Sequence, residues 1–483
     1  MAQRSLFLFA AFNLYISFFA FASVINKPKS QIAKKPHINT TTLPPATTSS
    51  SKDSIVDYFD QVDYDTPGTW DNEDDCPFHV DYSLWTKFPE TFTPPNCSEI
   101  LSHSKPSQIG ANKWTPNQTH SDESVLKLVK NCTYLKTITH FANRPSTDEE
   151  KHFSLAYIFV GQRNADQTLR LFRALYWPQN AYCFTFDNKS SEVYKEFMLS
   201  LADCFPNVIL SPKTINVYWG QDSVLYNVMN CFEPLVNSTI PWKYVQVVSY
   251  NDFPLKTNLE MVKIMQLFNG SNDCDLLEPI VSYYYNHHNY KPFHGQNRQK
   301  PIPPFGVVLF KGSYATTMTR DFVRYVLDDP ISQKLYQWMD ATWCPEEHYW
   351  ATLIHNLLLK APGGFPGQCL WYYSHKKKKK PYMSRCQVWD DTPLDGHVCQ
   401  GKRKSFSCVF GVNDLPWLIE RPEFIGHKFY GEFQPATLYC LEKWHWSKVC
   451  TKSTRYFDTH LTYYENLPNV RFQNAVDKDA FLC

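Results

Sequence analysis

Short apolar runs alternate with amphipathic segments between residues 154 and 249. The runs at 154–160, 181–187, 208–210 and 242–249 suit buried strands, and apolar residues recur at helical spacing in 166–177, 190–202 and 223–235. This alternation predicts βαβ units and a mainly parallel α/β sheet. Ligands of such sheets bind at the carboxyl ends of the strands, so Asp187 and Asp252, at the ends of two runs, are the first candidate site residues.

Charge balance and glycine content exclude several classes of function. The 483 residues include 48 lysines and arginines against 47 acids, so the chain lacks a general basic surface and we expect no nucleic-acid partner. Only 16 glycines are present, and neither the GxxxxGKS/T nor the GxGxxG pattern occurs. Neither common phosphate-binding loop is therefore available.

The N-terminal 26 residues are predicted to bring the chain to a membrane. The apolar run 5–25 is long enough to span a hydrocarbon layer of about 30 Å. The tripeptide Ala20-Phe21-Ala22 also fits a signal-peptide cleavage site, and the flanking charges favour neither an anchor nor a cleaved peptide. Both alternatives place the rest of the chain in the secretory lumen.

Sequons and cysteines agree with a lumenal glycoprotein. Seven Asn-x-Ser/Thr sequons occur, at Asn39, Asn96, Asn117, Asn131, Asn188, Asn237 and Asn269. Fifteen cysteines are scattered without a CxxC pair, which favours disulfides over zinc. Because fifteen is odd, at least one thiol stays free or joins a second chain in a disulfide-linked dimer.

Composition divides the chain into four parts. Residues 1–26 are the tail and signal-anchor or signal peptide, and 27–95 form a Ser/Thr/Pro-rich and then acidic stem. Residues 96–152 are the N-terminal part of the lumenal domain, and 153–483 are the main α/β domain. The basic run 376–380 is most simply a solvated loop; a retention signal or a site for an anionic ligand is the alternative.

An ordered series of motifs resembles one family. The strings LFRALYWPQNAYC at 171–183, NDFPLKTN at 251–258, CPEEHYWAT at 344–352 and CVFGVNDL at 408–415 occur in the order found in core-2/I-branching β-1,6-N-acetylglucosaminyltransferases. This family also includes peptide O-xylosyltransferases. The resemblance covers roughly residues 96–440.

The resemblance implies a GT-A-type glycosyltransferase fold with an N-terminal membrane anchor and an extended stem. It implies a single-pass type II Golgi membrane protein whose lumenal domain transfers N-acetylglucosamine from UDP-GlcNAc, with inversion, in β-1,6 linkage to an O-glycan. It further implies that no metal or other cofactor is needed. The acids Asp273 and Asp275 form an Asp-x-Asp string, which is common by chance, and follow a predicted helix, so we expect no metal there.

The resemblance also assigns roles to individual residues. Glu347 matches the general base, with Glu346 as the alternative, although acids also favour a helix N-terminus for dipole reasons alone. Lys428 matches a diphosphate-binding cation. The family's second cation is replaced by Ser405, so Arg403 and Lys404 are its candidates, unless this hairpin is simply solvated. Positions that match the uridine and donor-sugar contacts are Val160, Asp187, Tyr218 and Asp252.

The acceptor side departs from the family. Trp389 occupies the position of an acceptor-stacking tryptophan, but the aromatic two residues later is Asp391, and the family's acceptor-gripping segment is replaced by residues 282–289. The nearest alternative function is therefore a peptide O-xylosyltransferase that uses UDP-xylose, and a second is a catalytically silent glycan-binding protein.

By position, the family's disulfides correspond to Cys97–Cys440, Cys132–Cys204, Cys183–Cys231 and Cys399–Cys408. The resemblance gives no guidance on the seven remaining cysteines, which are Cys76, Cys274, Cys344, Cys369, Cys386, Cys450 and Cys483.

Overall fold

A five-stranded sheet forms the centre of the computed structural model. The structure describes residues 94–115, 120–276, 303–340, 342–370, 372, 381–389 and 393–483, all within the unit Thr40–Cys483. The strands are β1 (Leu155–Gly161), β2 (Ala181–Phe186), β3 (Val208–Leu210), β4 (Tyr244–Ser249) and β6 (Thr317–Thr319), in the order β3-β2-β1-β4-β6. The first four are mutually parallel and β6 runs antiparallel to β4. The predicted mainly parallel α/β sheet is confirmed.

Helices cover both faces of this sheet. Leu155, Tyr157 and Phe159 of β1 contribute to one hydrophobic core, and Ala156 and Ile158 contribute to the other. The alternation follows from the pleat of a strand buried on both faces. The covering helices near the sheet are α6 (Ala165–Leu175), α7 (Glu192–Asp203), α8 (Asp222–Met229), α9 (Phe232–Val236) and α10 (Asn258–Phe268).

The single helix predicted at 223–235 is two helices in the structure. Pro234 has no backbone N–H to donate, so a helix running through from residue 223 would lose a hydrogen bond at this point. In the structure α8 ends at Met229 and α9 begins at Phe232, which leaves Pro234 in the first turn of α9, where it is tolerated.

Two small sheets lie beside the main one. Strands β5 (Asp252–Pro254), β7 (Cys386–Gln387) and β10 (Ile425–His427) form a three-stranded sheet in the order β5-β10-β7. Strands β8 (Lys402–Lys404) and β9 (Ser407–Val409) form an antiparallel hairpin. Residues more than 130 positions apart therefore meet next to the carboxyl end of β4.

The remaining helices enclose these sheets. They are α1 (Cys97–Leu101), α2 (Lys105–Asn112), α3 (Asp122–Val129), α4 (Cys132–Thr139), α5 (Asp148–His152), α11 (Arg320–Asp328), α12 (Pro330–Met339), α13 (Pro345–His355), α14 (Leu415–Leu418), α15 (Ala436–Cys450), α16 (Arg455–Glu465) and α17 (Pro468–Gln473). The helices before β1 are tied to the rest of the fold by two disulfides, Cys97–Cys440 and Cys132–Cys204.

The structure contains all four disulfides that the resemblance implies, and Cys369–Cys483 in addition. Cys450 is also disulfide-bonded. In the described ranges the free cysteines are Cys274, Cys344 and Cys386, and all three are buried. None of these three presents a thiol at the surface for a disulfide with a second chain.

Four sequon asparagines of the described residues are exposed: Asn96, Asn131, Asn237 and Asn269. Asn188 is only half-exposed, follows the buried Asp187, and donates from its side-chain amide to Asn216 at 3.2 Å. A glycan on Asn188 would therefore be attached beside a candidate site residue. Asn39 and Asn117 lie outside the described residues.

The segments assigned to a membrane anchor and to most of the stem, residues 1–93, also lie outside the described residues. Within the described ranges, no helix combines the length and the apolar character that crossing a membrane requires.

Candidate active site

A buried carboxylate and an exposed aromatic ring meet at the carboxyl end of β2. Asp187 Oδ1 accepts the backbone N–H of Lys189 at 2.9 Å and of Val217 at 3.2 Å, and its Oδ2 lies 2.8 Å from the Lys189 ammonium. That ammonium lies 4.3 Å from the ring centroid of Tyr218, whose ring is half-exposed. Val160 is nearby at the end of β1. The arrangement places a half-exposed aromatic ring beside a fixed carboxylate at a strand end, where ligands of parallel sheets bind.

Asp252 is fully buried. Its Oδ2 lies 2.9 Å from Arg385 Nη2 and accepts the backbone N–H of Ser249 at 2.8 Å, and its Oδ1 lies 2.6 Å from His427 Nδ1. Burial alone would raise the pKa of Asp252, but Arg385 and His427 outweigh it and hold this pKa below its ordinary value. Burial and the neighbouring Arg385 lower the pKa of His427 to about 4, so at neutral pH its imidazole is neutral and Nδ1 donates to the carboxylate.

Asp252, which the resemblance predicts as a donor-side residue, is engaged by other residues of the protein. Both carboxylate oxygens are used by residues from β4, β10 and the segment before β7, and the side chain has no exposed surface. Asp252 instead joins the small sheet to the end of β4, and so fixes the position of Lys428, which directly follows His427.

Three lysine ammonium groups surround one aromatic ring. The ammonium of Lys404 lies 5.0 Å from the ring centroid of Tyr430, that of Lys402 lies 5.7 Å away, and that of Lys428 lies 5.9 Å away. Lys428 also donates to the backbone carbonyl of Lys404 at 2.6 Å. We call these three residues the lysine cluster. Three cations brought together repel one another, and a bound anion would relieve that repulsion.

Alternation along β8 decides which residues join the lysine cluster. Lys402 and Lys404 are two positions apart in a strand and share the face toward Tyr430, whereas Arg403 between them projects from the other face. Arg403 and Lys404 were both candidates for the second cation. In the structure Lys404 lies next to Lys428, and Arg403 lies on the opposite face of β8. Lys402, which no motif singled out, replaces it. Trp389 pairs with Ser407 in the same hairpin and keeps 41% of its surface exposed.

The two acids at the start of α13 have opposite environments. Glu346 is buried, its Oε2 has no hydrogen-bond partner, and burial raises its pKa to about 8, so it is largely protonated at neutral pH. Glu347 is partly exposed and lies 3.1 Å from the Lys311 ammonium. Only Glu347 combines a charged partner with access to a substrate, as a general base requires.

Tyr314 connects the acidic helix to the Asp252 centre. Its ring lies 5.1 Å from the guanidinium of Arg385. Burial raises the pKa of Tyr314 to about 12; the charge of Arg385 opposes this shift, and Asp252 and Glu346 add to it. The start of α13, the end of β4 and the small sheet therefore adjoin one another.

The first acid of the Asp-x-Asp string, Asp273, accepts hydrogen bonds within the protein. Asp273 is buried and accepts backbone N–H groups of Met383 at 3.0 Å and Ser384 at 2.6 Å, and the Ser384 hydroxyl at 2.6 Å. Burial raises its pKa to about 6. Its carboxylate thus holds the segment before β7. Throughout the described ranges, the only trio of metal-ligand side chains is Cys399, Cys408 and Asp414, and these two cysteines form a disulfide.

Sequence reasoning missed Lys189, Lys311 and Arg385, and it considered Lys402 only as part of the basic hairpin 402–404. Each becomes notable only through a partner distant in the chain, apart from Lys189, which lies two residues after Asp187. A lysine in that position was visible in the sequence, but a charged residue in a loop is usually just solvated.

The sequence profile of the Core-2/I-branching enzyme family matches residues 155–418, which include Glu347 and the β8–β9 hairpin. Among curated proteins, the chain is 32% identical to the β-1,3-galactosyl-O-glycosyl-glycoprotein β-1,6-N-acetylglucosaminyltransferase 3 of Homo sapiens, over 67% of this chain and 75% of that protein. It is 31% identical to the similarly named enzyme of bovine herpesvirus 4 strain DN-599, over 66% and 73% of the two chains. Among solved structures, the mannosyltransferase Ktr4p of S. cerevisiae shares 11% identity over 55% of this chain and 82% of that chain, with a TM-score of 0.23, too low to assign a fold.

Proposed function

The chain belongs to the core-2/I-branching enzyme family, and we propose that it transfers N-acetylglucosamine from UDP-GlcNAc in β-1,6 linkage to an O-glycan. One observation carries this proposal beyond family membership. The Asp187–Lys189–Tyr218 group follows the carboxyl end of β2, and the lysine cluster and the partly exposed Glu347 complete the candidate site. These are the parts that an inverting transfer from a UDP-sugar needs, and they use a GT-A-type arrangement.

On the donor side, we assign the uracil to the pocket of Asp187 and Tyr218 and the diphosphate to the lysine cluster. Departure of UDP builds negative charge on the phosphate oxygens. Cations held in place before the reaction stabilise that charge without reorganising. Lys428 is buried and anchored to the Lys404 carbonyl, which gives it a fixed position.

On the acceptor side, Glu347 takes the proton of the attacking hydroxyl. The hydroxyl oxygen forms a bond to the anomeric carbon of N-acetylglucosamine as the bond from that carbon to the UDP oxygen breaks. The proton passes to Glu347, and the electron pair of the broken bond leaves with UDP. Attack from the face opposite UDP inverts the anomeric configuration, which yields the β linkage. The exposed Trp389 beside the hairpin suits a stacking contact with the acceptor.

Donor turnover tests this function directly. Wild-type enzyme incubated with a glycopeptide that carries a β-1,3-galactosyl O-glycan should consume UDP-GlcNAc and add one N-acetylglucosamine, as read by mass spectrometry and UDP release. Turnover of UDP-xylose on the peptide itself would replace this proposal with a xylosyltransferase. Turnover of neither donor, in protein that still binds the glycopeptide, would make the chain a silent glycan-binding protein.

We expect the transfer to survive removal of divalent metal. The lysine cluster supplies the cations that a bound metal would otherwise bring to the diphosphate, and Asp273 is engaged by residues 383 and 384. UDP release measured in EDTA should stay within about twofold of the rate without it. Loss of activity in EDTA that manganese restores would contradict this expectation and return attention to Asp273 and Asp275.

We also propose that the protein resides in the Golgi membrane as a single-pass type II protein, with residues 1–26 as tail and anchor. The support is the apolar run 5–25, the exposed sequon asparagines and the disulfides. N-terminal peptide analysis of the protein purified from membranes decides between the alternatives. Retention of residues before Ala22 agrees with an anchor, and a new N-terminus after Ala22 shows a cleaved signal peptide.

A further inference from the structure

Two tryptophan rings stand exposed together beside α13. Trp219 has 74% of its surface exposed and Trp343 has 41%, although buried tryptophan is the norm. Their ring centroids lie 4.9 Å apart at an interplanar angle of 85°, so the two indoles form a corner with faces in two directions. Neither residue has been assigned a role above.

The backbone holds this corner in place. Gly220 has φ of +77°, and a Cβ added there would lie 3.1 Å from two atoms of the six-membered ring of Trp343. A side chain at this position would therefore be strained and would press on the indole. The backbone N–H of Cys344 donates to the carbonyl of Gly220 at 3.0 Å. The loop that carries Trp219 and the segment that carries Trp343 are thus one fixed unit.

The two tryptophans adjoin two segments of the candidate active site. Tyr218, next to Trp219 in the chain, contacts Lys189 in the pocket assigned to uracil. On the other segment, Trp343 precedes by four residues the general base Glu347, whose backbone N–H donates to the Cys344 carbonyl at 3.0 Å. The fixed unit of two indoles therefore joins the segment that carries Tyr218 to the start of the helix that carries Glu347.

Indole faces suit a sugar ring. The C–H bonds on one face of a pyranose carry partial positive charge, and the face of an indole carries partial negative charge. A rigid corner of two such faces binds a saccharide with little loss of side-chain entropy, because each ring is already held in position. Trp389 lies instead beside the β8–β9 hairpin, so it belongs to a different part of the site.

We propose that Trp219 and Trp343 form an aromatic subsite that stacks a sugar residue of the acceptor glycan and so determines acceptor specificity. This inference rests on the proposed function and adds residues outside the motifs that carried the resemblance. In this proposal Trp219 and Trp343 contact the acceptor glycan, whereas Tyr218 and the lysine cluster hold the donor.

Kinetics on the β-1,3-galactosyl glycopeptide test the subsite. Trp219→Ala and Trp343→Ala should each raise the KM for the glycopeptide by about tenfold. The KM for UDP-GlcNAc and the rate of UDP-GlcNAc hydrolysis without acceptor should stay near wild type. Trp219→Phe and Trp343→Phe should recover most of the acceptor affinity, since a smaller aromatic face remains. Gly220→Ala, which displaces the Trp343 ring, should resemble Trp343→Ala.

Tyr134→Ala is the matched control, because it removes an exposed aromatic ring from α4, which carries no part of the site. It should leave both KM values unchanged. Unchanged acceptor KM in both tryptophan variants, with wild-type transfer intact, would overturn the subsite while the proposed function stands. Equal losses toward donor and acceptor would also overturn it and place the rings on the donor. Absence of transfer in wild type would instead overturn the proposed function.

Discussion

Glu347→Gln lowers kcat by about 10²–10⁴, the usual cost of removing a general base. Glutamine keeps the shape of the side chain and can still lie beside Lys311, but it cannot accept the proton of the acceptor hydroxyl. UDP affinity, measured by calorimetry, should stay near wild type, since we propose that the lysine cluster holds the diphosphate. A Glu347→Gln enzyme that turns over near the wild-type rate would refute the assignment.

Glu346→Gln is the control for this experiment, and its stability provides a second readout. Its folded-state pKa of about 8 lies above the ordinary 4.5, so the folded state binds a proton that the unfolded state releases between these values. Stability of the wild type should therefore fall as pH rises from about 4.5 to 8. Glutamine is not ionised, so Glu346→Gln should lack this pH dependence and retain most activity. Its stability relative to wild type should be higher at pH 8 than at pH 5 by on the order of a few kcal/mol, as read from the Tm values of both proteins. Loss of activity in both variants together with lost secretion would indicate misfolding.

Lys428→Met is expected to impair the departure of UDP, whereas Glu347→Gln impairs proton transfer from the acceptor. Methionine keeps the apolar stem that fills this buried position but removes the ammonium that stabilises the leaving diphosphate. We expect kcat for transfer to fall by about 10²–10³, as when a single preorganised donor is removed from a developing anion. Unlike Glu347→Gln, this variant should also bind UDP more weakly. An unchanged UDP affinity, in protein whose Tm matches wild type, would remove Lys428 from the diphosphate site.

The β8–β9 hairpin offers matched controls for the same assignment. Lys404→Met removes a cation on the face toward Tyr430, and Arg403→Met removes one from the adjacent position on the other face. The first should weaken UDP binding and the second should not. Equal losses of UDP affinity in the two variants would show that the hairpin acts through its total charge. A loss of UDP affinity in Arg403→Met alone would identify Arg403 as the second diphosphate-binding cation.

Local sequence patterns predicted most of the strands and helices of the main sheet. Four apolar runs predicted the four parallel strands, because a strand buried on both faces needs apolar residues at every position. The break between α8 and α9 was not predicted, although Pro234 in the printed sequence was a local signal for it. The resemblance, and not the spacing of cysteines, supplied four of the five disulfides in the described ranges, since many pairings are compatible with fifteen cysteines.

The candidate site was less predictable, because the properties that decide a role come from residues distant in the chain. Asp252 reads as a free strand-end acid until Arg385 and His427, 133 and 175 positions away, are seen to enclose it. Glu346 and Glu347 are equivalent as local sequence, and only the packing around α13 buries one and exposes the other. Lys402, Arg403 and Lys404 likewise form one basic string until pairing with β9 assigns them to two faces.

By itself, then, the sequence determined the α/β class and the pair of acids that starts α13, and it predicted a site at the strand ends, because periodicity and helix-start signals act over a few residues. Tertiary structure alone decided which acid is reachable, which lysines gather at Tyr430, and that Trp219 and Trp343 meet in an exposed corner. Burial and charge proximity depend on contacts across the whole fold, and such contacts leave no local pattern in the chain.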